Sequence, residues 1–276
     1  MQILNKISLL CFIAATVFFA ATPSLAFATG PDRSYEDSVE FFQPFDSSAA
    51  EIVTSPGIDP TLQGKGTWAY QFTYIDAEGS ATDLAQYRAQ EKIKPASVLK
   101  LFTGWMAYET EAQPVDYLGY MLRRSDNDRA DSTLKKMGGA KALVAFYQKW
   151  NLPLDAKNFT MVDGSGLSHS NQVTSELVNQ LLLQIFLSGK YDAFKMLLAQ
   201  PGEDGTLISR LKDADYPVHA KTGTLADTAS LAGYVDLNHG TLIFSILSNQ
   251  LKVSVANARV LIDNMVRKYI KKAEAL

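Results

Sequence analysis

The pattern of apolar and polar positions changes period twice along this chain. From Thr67 to Ile75 the sequence reads TWAYQFTYI, aromatic and β-branched residues closed by Asp76-Ala-Glu-Gly79, which predicts a strand and a turn. After Pro95 the spacing becomes three and four: Val98, Leu99, Phe102, Trp105 and Met106 mark a helix. Further helices are expected at about Pro114–Arg123, Ala130–Met137 (stopped by Gly138-Gly139), Ala140–Trp150, Ser175–Ser188 and Tyr191–Leu198. Strand signals return at His219–Thr224, Leu231–Leu237 and Thr241–Ser248, the last after an Asn238-His239-Gly240 turn. Val253 to Lys272 reads as a closing amphipathic helix. Val260, Leu261, Met265 and Val266 are expected on its sheet-facing side, and Lys268, Lys271 and Lys272 lie near its C-terminal end. A strand, a helical block, three strands and a helix suggest one sheet interrupted by an all-helical insertion.

The ends of the chain read differently. Lys6 is the only charge before Asp32, and Ile7–Ala21 is apolar apart from Ser8 and Thr16. Small residues follow, with possible cleavage after Ala26 or Ala28, so residues 1–28 are expected to be a secretory signal peptide. The apolar run falls short of the ~20 residues that span a bilayer, and no stable membrane span is expected after its removal. Residues 29–66 are broken by Pro31, Pro44, Pro56, Gly57, Pro60, Gly64 and Gly66 and read as an irregular arm, with a short helix around Ser34–Phe42. Residues 67–276 then form a single α/β (α+β) domain: a sheet lobe from 67–96 and 215–276, and a helical lobe from 97–214.

Composition narrows the function. The chain has 276 residues, 47% hydrophobic, with 26 basic and 29 acidic side chains. That balance argues against a nucleic-acid binder. One cysteine, Cys11, lies inside the leader and cannot form an internal disulfide, and three histidines without helical pairing leave no metal motif. A periplasmic bacterial location fits an exported chain of this kind.

Three short motifs carry candidate chemistry. Ser97-Val-Leu-Lys100 opens a helix, Ser125-Asp126-Asn127 separates two helices, and Lys221-Thr222-Gly223 lies on a strand. Ser-x-x-Lys alone is weak, since composition gives about 1.4 by chance, and Ser132…Lys135 and Ser209…Lys212 are decoys. Lys-Thr-Gly is rarer, at about 0.07. The combination, in this order and on these elements, is specific. Ser97 sits in the first turn of an apolar helix, where an ordinary N-cap is the competing explanation, and Lys100 shares its face.

The chain resembles the serine penicillin-binding proteins, and within them the D-alanyl-D-alanine carboxypeptidases of the penicillin-binding-protein-four type. The likeness rests on Pro95–Thr103, Met121–Asp131, Asp163–Ser168 and His219–Thr224, with Gly202–Leu207 and Leu231–Val235 also fitting. The family usually carries a long insertion between the first two motifs, where here only residues 101–124 intervene. The resemblance implies a transpeptidase fold of the DD-peptidase/β-lactamase kind. It also implies hydrolysis of peptidoglycan stem peptides through an acyl-enzyme, acylation by β-lactam antibiotics, and no metal or organic cofactor. Ser97 would be the nucleophile, Lys100 its base and Ser125 the proton relay. Asn127 would hold the substrate amide, and Lys221, Thr222 and Thr224 the terminal carboxylate. Gly223 would leave room for the substrate, and the N–H groups of Ser97 and Thr224 would form the oxyanion hole. A lysine of pKa about 10.4 is neutral only about one part in two thousand at pH 7. Tuning it to about 7 takes about 4–5 kcal/mol, expected here from burial and from Lys221 as a second cation.

Other readings fit less well. A class A β-lactamase needs a deacylating glutamate between the second and third motifs, yet none occurs from Ala112 to Ser175, where Asp155 and Asp163 are the nearest carboxylates. A non-catalytic wall-binding module has no use for a Ser–Lys pair. For a Ser-His-Asp hydrolase, Gly164-Ser165-Gly166 lacks the nucleophile-elbow spacing, and His169, His219 and His239 read as loop, strand and turn residues. Asp163–Ser168 is expected to line the cleft.

Overall fold

The computed structural model describes residues 57–152 and 154–276. The leader and the short helix expected around residues 34–42 lie outside these residues. The expected strand at 67–75 is β1 (Thr67–Asp76), and β2 (Ala81–Tyr87) pairs back on it through the Asp76–Ser80 turn. Sequence pattern did not reveal β2, because its ATDLAQY lacks a strong apolar alternation.

The helical block follows as α1 (Lys100–Glu109), α2 (Val115–Arg124), α3 (Asn127–Lys136), α4 (Gly139–Lys149), α5 (Ser175–Leu187) and the short α6 (Tyr191–Lys195). A two-residue ribbon, β3 (Phe159–Thr160) with β4 (Gln172–Val173), interrupts it. Two expectations shift here. α6 ends at Lys195 rather than Leu198, and α3 begins three residues early because Asp126, not a later residue, caps it. The chain returns through β5 (Val218–Leu225), β6 (Thr228–Leu237) and β7 (Gly240–Asn249), then α7 (Val255–Ala273).

All strand pairings in the main sheet are antiparallel, in the order β2-β1-β7-β6-β5. β1 therefore sits beside β7, and the helical block is inserted between them in sequence. Both faces of the sheet are covered at its centre, so β1, β6 and β7 are buried along most of their length without a polar face. Along β6 and β7, Ala232, Tyr234, Ile243 and Leu247 face a core shared with Leu101, Phe102 and Trp105 of α1. The alternate residues Leu231, Val235, Phe244 and Ile246 face Ile262, Met265, Val266 and Tyr269 of α7. Met265 and Val266 pack as expected, whereas Val260 is 57% exposed. α1 is buried nearly all round, which explains its lack of a polar stripe.

The last residues of the arm are also tied down. Leu62 is buried in a 3-10 turn (Pro60–Leu62), and the Asp59 carboxylate accepts from Lys268 of α7 at 2.7 Å.

Candidate active site

The segment carrying Ser97 is a 3-10 turn, Ala96–Leu99, joined directly to α1, instead of the first turn of the α-helix itself. Its approach is pinned from the sheet lobe. The Lys94 N–H donates to Asn249 Oδ1 at 2.8 Å, Asn249 Nδ2 donates back to the Lys94 carbonyl at 2.9 Å, and the Lys94 amine pairs with Asp227 at 2.8 Å. Ala96 adopts a left-handed φ of 49°, a conformation a side chain resists unless its surroundings impose it.

Gly223 shows how close the packing is. A Cβ there would lie 2.6 Å from the Pro95 carbonyl oxygen and 3.2 Å from Ala96 Cβ. The expected reason for this glycine was room for substrate; the structure gives another, the direct contact of β5 with the turn before Ser97.

Ser125 and Asn127 come from the joint between α2 and α3. Ser125 ends α2 in a left-handed conformation, φ 60°, and its N–H closes on the Met121 carbonyl. Asp126 caps α3 by accepting from the Arg129 N–H at 2.9 Å, which leaves Asn127 as the first helical residue. Lys221 projects from β5 toward this joint and is completely buried.

These pieces converge. Lys100 Nζ donates to Ser97 Oγ at 2.9 Å, to Asn127 Oδ1 at 2.8 Å and to the Ser165 carbonyl at 2.6 Å. Lys221 Nζ donates to Ser125 Oγ at 2.9 Å and to the Thr222 carbonyl at 2.8 Å. Ser125 is thus held by Lys221, and Asn127 is the side chain that meets Lys100. The Thr222 hydroxyl donates to Thr206 Oγ1 at 2.8 Å, and Thr224, at the exposed end of β5, accepts from Arg259 of α7 at 3.0 Å.

Burial lowers the Lys100 amine from its ordinary value to about 8, against the opposing pull of Asp131, Asp163 and Asp126. Lys221 lies well below the ordinary lysine range, through burial and through the charge of Lys100. The repulsion between the two amines is mutual and disfavours having both protonated at once; around Lys100 three carboxylates oppose it, whereas nothing offsets the burial of Lys221.

Sequence reasoning missed how the Asp163–Ser168 turn serves the site. Asp163 accepts from the Ser168 and Gly166 N–H groups at 2.7 Å each and from Asn171 Nδ2 at 2.9 Å. Burial pushes its carboxyl up, but these bonds outweigh burial and leave it below the usual value. Gly166, with φ +81°, packs so tightly on the Ala96 carbonyl that a Cβ would fall 1.9 Å from that oxygen. Asp131 of α3 accepts from the Ser165 N–H at 2.8 Å. The Ser165 carbonyl is thereby aimed at Lys100, a backbone role that no residue-type signal announces.

The histidines stay outside this cluster. His219 is buried, with Nε2 3.4 Å from Asp236, and His239 offers its carbonyl to Tyr74. Among the described residues no group of histidine, cysteine or carboxylate side chains is placed to hold a metal, and no helix is long and apolar enough to cross a membrane.

Comparison with known proteins bears on the fold and the family. A D-alanyl-D-alanine carboxypeptidase of Actinomadura sp. (strain R39) is 32% identical over 160 residues, covering 52% of this chain and 30% of the relative. The Carboxypeptidase DacB of Mycolicibacterium smegmatis is 29% identical over 57% of this chain and 39% of its own length. The chain thus spans about a third of the length of these relatives. Penicillin binding protein 4 of Haemophilus influenzae, solved with a β-lactam, superposes with a TM-score of 0.52 at 24% identity, covering 56% of this chain and 41% of that one. A β-lactamase from Chitinophaga pinensis gives 0.60 at 17% identity over 75% and 94% of the two chains. The fold is the one that penicillin-binding proteins and β-lactamases share, as the resemblance implied. Residues 110–269, which include the second and third motifs, match the D-Ala-D-Ala carboxypeptidase 3 (S13) family, with Ser97 and Lys100 just ahead of the match and hydrogen-bonded to each other. The chain belongs to that family.

Proposed function

We propose that this protein is a serine D-alanyl-D-alanine carboxypeptidase or endopeptidase of peptidoglycan stem peptides, acting through an acyl-enzyme on Ser97. The observation that carries the reading is the buried Lys100 amine, 2.9 Å from Ser97 Oγ and lowered to about 8. A neutral amine there would take the Ser97 proton as Oγ bonds to the scissile carbonyl carbon. The N–H groups of Ser97 and Thr224 would receive the oxyanion, where one lost donor costs ~3–4 kcal/mol. Ser125, held by Lys221, would pass the proton to the departing D-alanine amine as the C–N bond breaks, and water would release the acyl group. Asn127, Thr222 and Thr224 would hold the substrate.

Asp163 does not supply a deacylating base of the class A β-lactamase kind, because its oxygens already accept from Ser168, Gly166, Asn171 and Ser165. Penicillin should therefore acylate the protein and leave slowly. We place the catalytic domain at residues 67–276 and the protein in a bacterial periplasm, exported by residues 1–28. Mass spectrometry after mixing with penicillin tests the mechanism: the mass gain should fall on the peptide containing Ser97 and disappear in Ser97→Ala. An unmodified wild-type protein would refute it. Chromatography of digested cell wall would then separate released D-alanine from cleaved cross-links.

A further inference from the structure

Three of the five cations of α7 are matched within the fold, and Lys271 is exposed in its last turn. Arg267 pairs with Asp213, Lys268 with Asp59, and Lys272 donates to the Leu84 carbonyl, while Arg210 reaches into the helix to bind Asp263. Arg259, in the second turn, differs. It is half-buried, and among the described residues its hydrogen bond is to the Thr224 hydroxyl at 3.0 Å, with no carboxylate at ion-pair distance. Thr224 is the exposed next-to-last residue of β5, directly after Lys221-Thr222-Gly223.

The cation expected to receive a substrate carboxylate, Lys221, is placed otherwise. Its amine is fully buried and spends its donors on Ser125 and the Thr222 carbonyl. Burial and the charge of Lys100 further disfavour its protonated form. A guanidinium remains charged at any working pH and presents paired N–H groups that match a carboxylate's two oxygens. Only one of those N–H groups is engaged by Thr224.

We propose that Arg259, reaching over from α7, is a substrate-binding residue that receives the terminal carboxylate of the peptide or β-lactam together with the Thr224 hydroxyl. This rests on the acyl-enzyme reading of Ser97. Lys221 then acts chiefly by holding Ser125, and discrimination for a free carboxylate comes from an element outside all three motifs.

The test compares acylation by benzylpenicillin with acylation by its methyl ester, which keeps the reactive ring and lacks the negative charge. In the wild type the acid should react faster. In Arg259→Ala the acid-to-ester rate ratio should fall by about tenfold or more, the usual cost of losing a charge-assisted hydrogen bond. Arg259→Lys, which keeps the charge but not the paired geometry, should recover part of the ratio, and thermal unfolding should show all three proteins folded. A wild-type ratio near one, or a ratio unchanged in Arg259→Ala, would overturn the inference. Failure of both reagents to label the wild type would instead overturn the acyl-enzyme reading.

Discussion

With Lys100 as the proposed base for Ser97, its protonation would govern acylation, and the structure makes that control measurable. With the amine at about 8, roughly one molecule in eleven carries the neutral base at pH 7, against about one in three thousand at the ordinary 10.5. The acylation rate by penicillin should rise with pH and level off through about 8. Asp131→Asn perturbs this limb while keeping an oxygen to accept the Ser165 N–H, so the turn that faces Lys100 stays in place. Asp131 acts on Lys100 across Ser165, bonded at 2.6 Å on one side and 2.8 Å on the other, and a charge one residue away at an effective dielectric near 20 is worth about 2 kcal/mol at most. Removing that negative charge lets burial depress the amine further, so the acid limb should move down by about one unit. Stopped-flow acylation from pH 5 to 10 reads both proteins. A wild-type limb centred near 10, or an Asp131→Asn limb that stays put or moves up, would refute the electrostatic account. Stability has its own sign. Because the folded amine titrates below the unfolded one, the native state carries a cost of about 3 kcal/mol below pH 8 that fades as pH rises toward 10.5. Urea titration should accordingly show wild-type stability gaining on Lys100→Met across that window, and a constant difference would count against it.

Three further outcomes follow from packing. Gly223→Ala drives a Cβ into the Pro95 carbonyl, so it should slow Ser97 acylation at least tenfold while costing about 1–3 kcal/mol in denaturant unfolding; normal acylation would show that β5 and the Ser97 turn do not need this contact. Gly166→Ala meets the Ala96 carbonyl and a left-handed backbone together, and should lower both the melting temperature and acylation more than Gly64→Ala, which has a positive φ but open space. Asp263→Ala strands the Arg210 guanidinium, both side chains being nearly buried at 12% and 10% exposure, and should destabilise the fold by about 3 kcal/mol or more. A loss under 1 kcal/mol would mean that water replaces the carboxylate there.

Much of this protein was legible along the chain because its information is local. β1, β6, β7 and α7 announce themselves by period, and Gly138-Gly139 marks the α3–α4 break. The three motifs could be read because their residue types are rare together, and the structure bonds Ser97 and Asn127 to Lys100 and Ser125 to Lys221, with the two lysines near enough to repel each other. Folding alone decided which member touches which. Lys100 and Lys221 are both lysines in apolar settings, and nothing in their types says that one meets Asn127 and the other Ser125. That choice depends on the left-handed end of α2 at Ser125 and on the strand phase of β5. The Ser165 carbonyl and Arg259 escaped sequence reasoning for related reasons. A main-chain oxygen has no residue signature, and the approach of α7 to the end of β5 depends on how the far face of the sheet is packed. Periodicity and residue chemistry are properties of neighbours in sequence, whereas a pKa or a hydrogen-bond partner belongs to neighbours in space.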